Sequence, residues 1–377
     1  MKVYDVIIIG SGITGNTAAY YLKKEGVKKV LVLEASDSIG HGASSRNGGG
    51  VRQSGRDIRE LPYTKWGIQN MWPNLSEELG VDIEYRQGGN LRLAKTPDHM
   101  KILKKLADDA CSLGIDVKMV DQYEVHQINP YLSDAVIGAS WCPSDGHANC
   151  LVTTLAFYKR ALEMGAEFRT NAKVTKLGII KGKIRKVYLE NGEVLEAENV
   201  IVGAAYESRA IINTVGLDIP MEARWDEGLI TEVQPEMFSM MLGTAIPGFY
   251  GHQCANGTFL FGTNSGYEAT AKNQLTDLRT NSLTMSAACR EIINYIPSLK
   301  HAKVVRSWAG WLDLCDDGVP VIGATQEVPG LYLACGFSGH GFATAPPIGY
   351  ILTCMILQKK LPVDMAALRY NRFPSKC

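Results

Sequence analysis

The chain opens on a pattern that leaves little freedom of fold. In "YDVIIIGSGITGNTAAYYL" an apolar run meets three glycines, Gly10, Gly12 and Gly15, and then a helical pattern. Tyr4 to Ile9 reads as a buried parallel strand and Ile13 to Glu25 as a helix, so the glycines occupy the turn between them. Gly10 permits a tight turn, Gly12 leaves the backbone bare, and Gly15 lets the helix pack close to the strand. The helix N-terminus, with Ser11, Ile13 and Thr14 around it, then faces outward as an anion site. Such turns also serve packing alone, and the motif by itself leaves both uses open.

The next strand narrows the choice. Val30 to Leu33 ends in Glu34, nineteen residues after Gly15, and continues into Ala35 and Ser36. An acid at this point accepts hydrogen bonds from both hydroxyls of an adenosine ribose. Strand, glycine turn, helix, strand and acid in this order indicate a dinucleotide site, for a nicotinamide or a flavin.

At 377 residues the chain exceeds one usual domain, and two interleaved domains are expected. Lys plus Arg and Asp plus Glu number 39 each, so no overall field draws the protein to nucleic acid or anionic lipid. A small molecule is the expected partner. The nine cysteines are scattered without a CxxC pair, which indicates buried, reduced thiols and no metal site. No apolar run is long enough for a membrane span, and the chain begins directly in a strand, so a cytoplasmic protein is expected.

Further along, 57–79 reads as helix, 84–94 as strand, 97–113 as an amphipathic helix capped by Thr96, 122–127 as a short helix and 151–165 as helix. Antiparallel strands follow, turning at Asn191-Gly192, and return to the apolar strand Val200 to Val202. A second hairpin is expected at Asn256-Gly257, then a helix over 275–295, a strand from Leu331 to Ala334 and a helix from Ala345. The fold class is α/β: a Rossmann-like domain interleaved with an α+β domain of mainly antiparallel sheet. The expected division gives 1–83, 142–219 and 306–377 to the cofactor, and 84–141 and 220–305 to the substrate.

The stretches "GSGITG", "LEAS", "SSRNGGGVR" and "GFSGHGF" together resemble the FAD-dependent amino acid oxidoreductases of the D-amino-acid oxidase family. The likeness is to the glycine and sarcosine oxidase branch, and especially to flavin β-subunits of heteromeric sarcosine oxidase, opine oxidase, hydrogen cyanide synthase and proline or hydroxyproline dehydrogenase. It spans the whole chain and chooses the flavin. The resemblance implies that Ala43, Ser44, Ser45, Arg46, Asn47, Gly48 and Gly49 wrap the cofactor, with Val174, Ala204 and Gly310 against it. It also implies that the turn Gly336, Phe337, Ser338, Gly339, His340 and Gly341 offers N–H groups to the flavin N1–C2=O edge, where charge gathers on reduction.

Arg52 falls where sarcosine oxidases place an arginine that grips the substrate carboxylate. Arg52, Tyr250 and His340 are thus the expected substrate-side residues, with Trp225, Trp308 and Trp311 as weaker candidates. His147 and His252 read as structural. Three departures matter. Leu260 falls at or near the place of an oxidase's oxygen-activating lysine, Ala343 replaces a second carboxylate contact, and Gly310 lies near the flavin-linking cysteine, with Cys315 several residues away. They imply noncovalent FAD and slow reaction with oxygen. "GAAYES" at 203–208 departs from the family's second motif, which leaves Tyr206 and Glu207 without a role.

The expectation is an FAD-dependent dehydrogenase of an amino acid or a secondary amino acid, passing electrons to a partner subunit with a second flavin or an iron–sulfur cluster. The resemblance also admits an FMN at a subunit interface. The rivals are an oxygen-using oxidase and a flavin-bearing relay subunit that oxidises nothing itself.

Overall fold

The computed structural model describes residues 3–246, 248–263 and 280–373. Val3–Ile9 lies inside its first sheet, parallel to Val30–Leu33 on one side and to Val194–Val202 on the other. Glu167–Arg169 and Leu331–Cys335 extend the parallel set at its two ends. Val6 to Ile9 and Val30 to Leu33 are buried throughout, because helices or strands cover both faces, and this is why their sequences are continuous apolar runs. Val321–Ala324 adds an antiparallel edge.

The Asn191-Gly192 turn forms as expected, with Gly192 at φ +89° and Leu189 N–H donating to the Glu193 carbonyl. It joins Lys183–Leu189 to Val194–Val202, which pairs antiparallel with that neighbour at its start and parallel with Val3–Ile9 along its length. A second turn at Lys181-Gly182 adds Val174–Ile180.

The second sheet runs, in spatial order, Val304–Cys315, Met221–Thr231, Phe259–Thr263, Phe249–Gln253, Met241–Thr244, Asn90–Ala94, Gly138–Cys142 and Lys118–Asp121. Among the described residues every pair in it is antiparallel except Asn90–Ala94 with Met241–Thr244. The Asn256-Gly257 turn is present, with Cys254 N–H donating to the Thr258 carbonyl.

Against the first sheet, Ile13–Lys24 packs closely on Gly341–Ile356. A Cβ at Gly349 would stand 2.6 Å from Thr17 Oγ1, so only glycine fits there. The second helix begins four residues earlier than Ala345 and contains Pro346 and Pro347. Proline lacks an N–H, which orphans the carbonyl four residues back. Trp72 Nε1 donates to the orphaned Ala343 carbonyl at 2.9 Å.

Other elements depart from the sequence reading. The expected helix over 57–79 is three pieces, Leu61–Asn70, Trp72–Asn74 and Leu75–Leu79, because Pro73 interrupts the hydrogen bonding. The strand expected over 84–94 is only Asn90–Ala94, since Glu84 and Gly89 take left-handed φ values of +56° and +87°. Helix Ser282–Tyr295 covers the described part of 275–295, and residues 275–279 lie outside the described residues. Thr96 caps Pro97–Ser112 as expected, through its side chain and the His99 N–H. Cys111 is exposed and Cys254 and Cys289 half-buried, against the expectation of buried thiols, because Cys111 lies in the outer last turn of its helix. No helix among the described residues is long and apolar enough to cross a membrane.

Candidate active site

The first turn is shaped by backbone contact. Gly10 has φ +103°, and a Cβ there would stand 2.4 Å from the Gly203 carbonyl oxygen; one on Gly15 would stand 2.0 Å from that of Gly10. Gly12 starts the helix with no side-chain cap, and Ile13 N–H takes Ser44 Oγ as acceptor at 2.8 Å. Glu34 Oε2 accepts from Ser11 N–H at 2.9 Å, while Oε1 accepts from the N–H and hydroxyl of Ser36. A carboxylate offers about four acceptor positions. Three are filled, so part of the capacity for a ribose remains.

The 42–50 loop is held by its own side chains. Arg46 donates to the carbonyls of His41 and Gly42. Asn47 donates to those of Ala43 and Ser44 and accepts from Gly49 N–H. Trp308 Nε1 donates to the Arg46 carbonyl at 2.8 Å. These two polar side chains therefore shape the loop that the sequence reading had them contact a cofactor from.

Beyond this loop three arginines converge. Solvent reaches Arg52 through a cleft, yet the guanidinium lies deep in the protein, and burial with Arg56 and Arg92 nearby lowers its pKa to about 9. It remains charged at neutral pH. Its one hydrogen bond among the described residues is a long 3.4 Å contact to the Ser54 carbonyl. Arg92 donates to the carbonyls of Gly55 and Thr244. Arg56 donates to the Arg52 carbonyl and to Glu60 Oε2. The counter-charges in this group are Glu60 and Asp145, both buried, and Asp145 accepts from Gln53 and Ser54. Within this group three cations face two anions, and burial raises the carboxyl of one of them, Asp145, while Asp226 and Glu227 border the cleft outside the group.

His340 lines the same floor, its Nδ1 2.9 Å from Glu60 Oε1. Burial opposes the charge on Glu60, but His340, Arg56 and Tyr63 all face it and hold its carboxyl down to about 2. Burial lowers the imidazole pKa against the pull of Glu60, and Arg56 and Arg52 act in the same direction as burial. Tyr250 closes the floor, its phenol pushed up to about 12 by burial and by Asp226. The Tyr250 ring crowds Gly48 and Gly262, where a Cβ would come within 2.5 and 2.3 Å of it.

The C-terminal turn has left-handed residues at Gly336, Ser338 and Gly339. Asp313 Oδ2 accepts from Gly336 N–H at 2.7 Å, and its backbone carbonyl accepts from Ser338 N–H. Burial raises the Asp313 carboxyl to about 6. The first amide of this turn is therefore already taken by the protein, contrary to the sequence reading, and Gly339 and Gly341 remain along the cleft.

All of this borders one cleft of about 1120 Å³. That exceeds the roughly 300 to 1,000 Å³ of an ordinary small-molecule pocket. Of the residues expected at the site, Gly10, Gly12, Ile13, Thr14, Glu34, Ala35, Ser36, Ala43, Ser44, Arg46, Asn47, Gly48, Arg52, Val174, Ala204, Tyr250, Gly310, Phe337, Ser338, Gly339, His340 and Gly341 line it. Ser11, Gly15, Ser45, Gly49 and Gly336 stand behind that lining, where they pack or brace the turns.

Trp311 lines the cleft, with Tyr206 tilted against it and Trp225 meeting it edge to face. Trp308 does not reach it, and Leu260 packs behind Gly48. His147 and His252 stack at 3.8 Å, buried and away from the cleft, in keeping with their structural reading. Cys315 is buried in the neighbouring core beside Met221 and Gly336. The sequence reading missed Arg56, Glu60, Arg92 and Asp145. The first two carry a signal, since Arg52, Arg56 and Glu60 recur every four residues.

A dinucleotide and a small acid fit this arrangement: a helix start capped only at Ile13 N–H, by Ser44 among the described residues, a partly used carboxylate and an under-bonded guanidinium share one cleft. Comparison with known proteins agrees. The model of the family described as FAD dependent oxidoreductase matches residues 5–355. The chain is similar to a subunit of the opine oxidase of Rhizobium meliloti, 25% identical over 100% of this chain and 99% of that protein. It is similar to the beta subunit of the sarcosine oxidase of an Arthrobacter species, 26% identical over 99% and 91%. Among solved structures it resembles L-proline dehydrogenase from P. horikoshii, with a TM-score of 0.89 and 29% identity over 99% of this chain and 98% of that one.

Proposed function

Because this chain belongs to the FAD dependent oxidoreductase family, we propose that it oxidises an amino acid or secondary amino acid at the carbon beside nitrogen. FAD, when bound, accepts the hydride at flavin N5. The imine left behind is hydrolysed by water to a keto acid, or to an aldehyde and an amine. The observation that carries this reading is Arg52, a deeply placed guanidinium with one long hydrogen bond in a group where three cations face two anions. A substrate carboxylate supplies the missing partner, and the bidentate match fixes the reacting carbon.

In this reading Glu34 receives the ribose, and the Gly12, Ile13 and Thr14 turn with Ser44 receives the pyrophosphate. Gly339, His340, Gly341 and the helix they open face the flavin. The first sheet with its helices forms the cofactor domain and the second sheet covers the substrate; the expected boundary at 306 falls inside Val304–Cys315, a strand of the second sheet, so that strand belongs with the substrate domain. We take the attachment to be noncovalent, a reading supported by Gly310, which lines the cleft near the place where the resemblance puts the flavin-linking cysteine. Two relatives are named as subunits, which supports transfer of electrons to a partner chain bearing a second flavin or an iron–sulfur cluster. Leu260, apolar and packed behind Gly48, falls at or near the place of an oxidase's cation, which favours that over direct reaction with oxygen. A pure relay subunit has no use for the Arg52 site.

Anaerobic titration of the purified holoprotein with D-, L- and N-alkyl amino acids, read by flavin bleaching, tests this. Truncating one member of a buried charged pair costs about 2 to 5 kcal/mol. Arg52→Ala should therefore raise the half-saturating substrate concentration by at least about thirtyfold, with the bound flavin spectrum unchanged. Normal saturation, or loss of FAD, would overturn the assignment of Arg52.

A further inference from the structure

We propose that His340 takes a proton from the substrate ammonium, and that Glu60 is the positioning residue that holds the ring for that task. The inference deepens the amino-acid reading above and rests on it. An amino acid reaches the site with its nitrogen protonated, and the lone pair must be free before the neighbouring C–H can leave as hydride. Some group has to accept the N–H proton.

His340 is placed to do so. Its Nδ1 is engaged by Glu60 Oε1 at 2.9 Å, and its side chain keeps 23% of its surface open while Glu60 has none. A buried carboxylate beside Nδ1 fixes the tautomer, with Nδ1–H donating and Nε2 carrying the lone pair. Nε2 has no hydrogen-bond partner among the described residues, and the residue lines the cleft. Glu60 is in turn held by Arg56 Nη1 at 3.3 Å and Tyr63 Oη at 3.2 Å, so it cannot swing away.

The charges around the ring favour its neutral form. Arg52 and Arg56 face it from one segment, and the Gly341–Ile356 helix presents its positive end, since His340 is the N-cap residue. Among the described residues Glu60 opposes them. The imidazole thus stays unprotonated below its ordinary pKa, available as an acceptor at neutral pH.

The scaffold also sets the spacing. Arg56 Nε donates to the Arg52 carbonyl at 2.7 Å, and its Nη1 reaches Glu60. The carboxylate dock and the amine acceptor are therefore tied together through one buried arginine. In the step itself an N–H bond of the substrate breaks and an Nε2–H bond forms, and the electron pair stays on the amine nitrogen. The imidazolium forms against the Glu60 charge and returns its proton to water through the cleft.

The test compares pH profiles of anaerobic flavin reduction in the holoprotein. Wild type should reduce at a constant rate through neutral pH, with an acid limb below about 6.5. His340→Gln should lose on the order of a hundredfold at pH 7, then recover as pH rises through the ionisation of the substrate amine itself. Glu60→Gln removes the charge that raises the His340 pKa, so its acid limb should move lower while the plateau falls.

Equal loss for His340→Gln at every pH would make the residue structural and overturn the proposal. Independently of turnover, ¹⁵N NMR of wild-type protein should find the His340 Nδ1–H tautomer at pH 7, and an Nε2–H or doubly protonated ring would equally overturn it. If no amino acid bleaches wild type, the amino-acid reading itself fails, and His340's assigned task with it, whereas the NMR result judges the His340–Glu60 arrangement whether or not a substrate is found.

Discussion

Two strand-to-helix turns border the cleft, and each has a carboxylate from another strand accepting one of its N–H groups. Glu34 holds Ser11 at the first turn, and Asp313 holds Gly336 at the second. Glu34 is half-exposed, lines the cleft and has acceptor capacity left. Asp313 lines the same cleft but is buried, its carboxyl raised to about 6, and Ser338 N–H and Cys315 N–H tie its strand to the turn. The same grammar serves two ends. One turn is braced by a half-exposed acid, and the other by a buried acid whose charge burial disfavours. The two glycine-rich turns therefore differ in how far the acid beside each is open to solvent.

The difference should be easiest to break at the glycines. At Gly15 a Cβ would meet the Gly10 carbonyl at 2.0 Å, backbone against backbone, whereas at Gly339 the nearest atom is a Leu312 methyl at 3.9 Å. Gly15→Ala should displace the turn, cost about 3 kcal/mol or more, and yield protein purified without FAD. Gly339→Ala meets only the left-handed strain of φ +86°, about 1 to 2 kcal/mol, and should keep its flavin. Thermal unfolding with FAD content by absorbance separates the two. Equal damage at both positions would erase the distinction.

The acids give a finer cut. Glu34→Gln keeps one acceptor but loses the charge, and hydrogen bonds to charged groups contribute about 1.5 to 3 kcal/mol. FAD affinity should fall by about ten- to a hundredfold. Asp313→Asn should leave it within about threefold, since burial already disfavours the charge that the substitution removes. Fluorescence titration of apoprotein with FAD measures both, and a larger loss for Asp313→Asn would reverse the roles drawn here.

Why one turn is legible in the sequence and the other is misread follows from distance along the chain. Gly10, Gly12, Gly15 and Glu34 act within one strand–helix–strand unit, where spacing alone locates them. Asp313 lies 23 residues before Gly336 on a strand of the other sheet, and no local pattern joins them. The cleft floor divides in the same way. Arg52, Arg56 and Glu60 share a four-residue interval that sequence displays. Arg92 joins them only because Asn90–Ala94 pairs in parallel with Met241–Thr244, setting Arg92 opposite Gly243. The helix expected over 57–79 fails for a visible reason, Pro73, whose missing N–H outweighs the apolar pattern around it.

The narrowest effect concerns Asp313 and pH, and it follows from burial. A carboxyl raised to about 6 in the folded protein, against an ordinary value near 3.8, binds its proton more tightly folded than unfolded. The stability it contributes is complete below about 3.8 and is lost as pH rises through about 6. A two-unit shift corresponds to at most about 3 kcal/mol. The amide of an Asp313→Asn variant is neutral at every pH and still accepts the Gly336 N–H. The wild-type bond to Gly336 is already contained in its shifted pKa, so the variant should gain on wild type by up to about 3 kcal/mol between about pH 4 and pH 7, with the change confined to that window. Chemical denaturation at several pH values reads it directly. A difference between the two proteins that stays flat across that range would mean that Asp313 is not strained by burial, and that the second turn, like the first, keeps its acid available to a ligand.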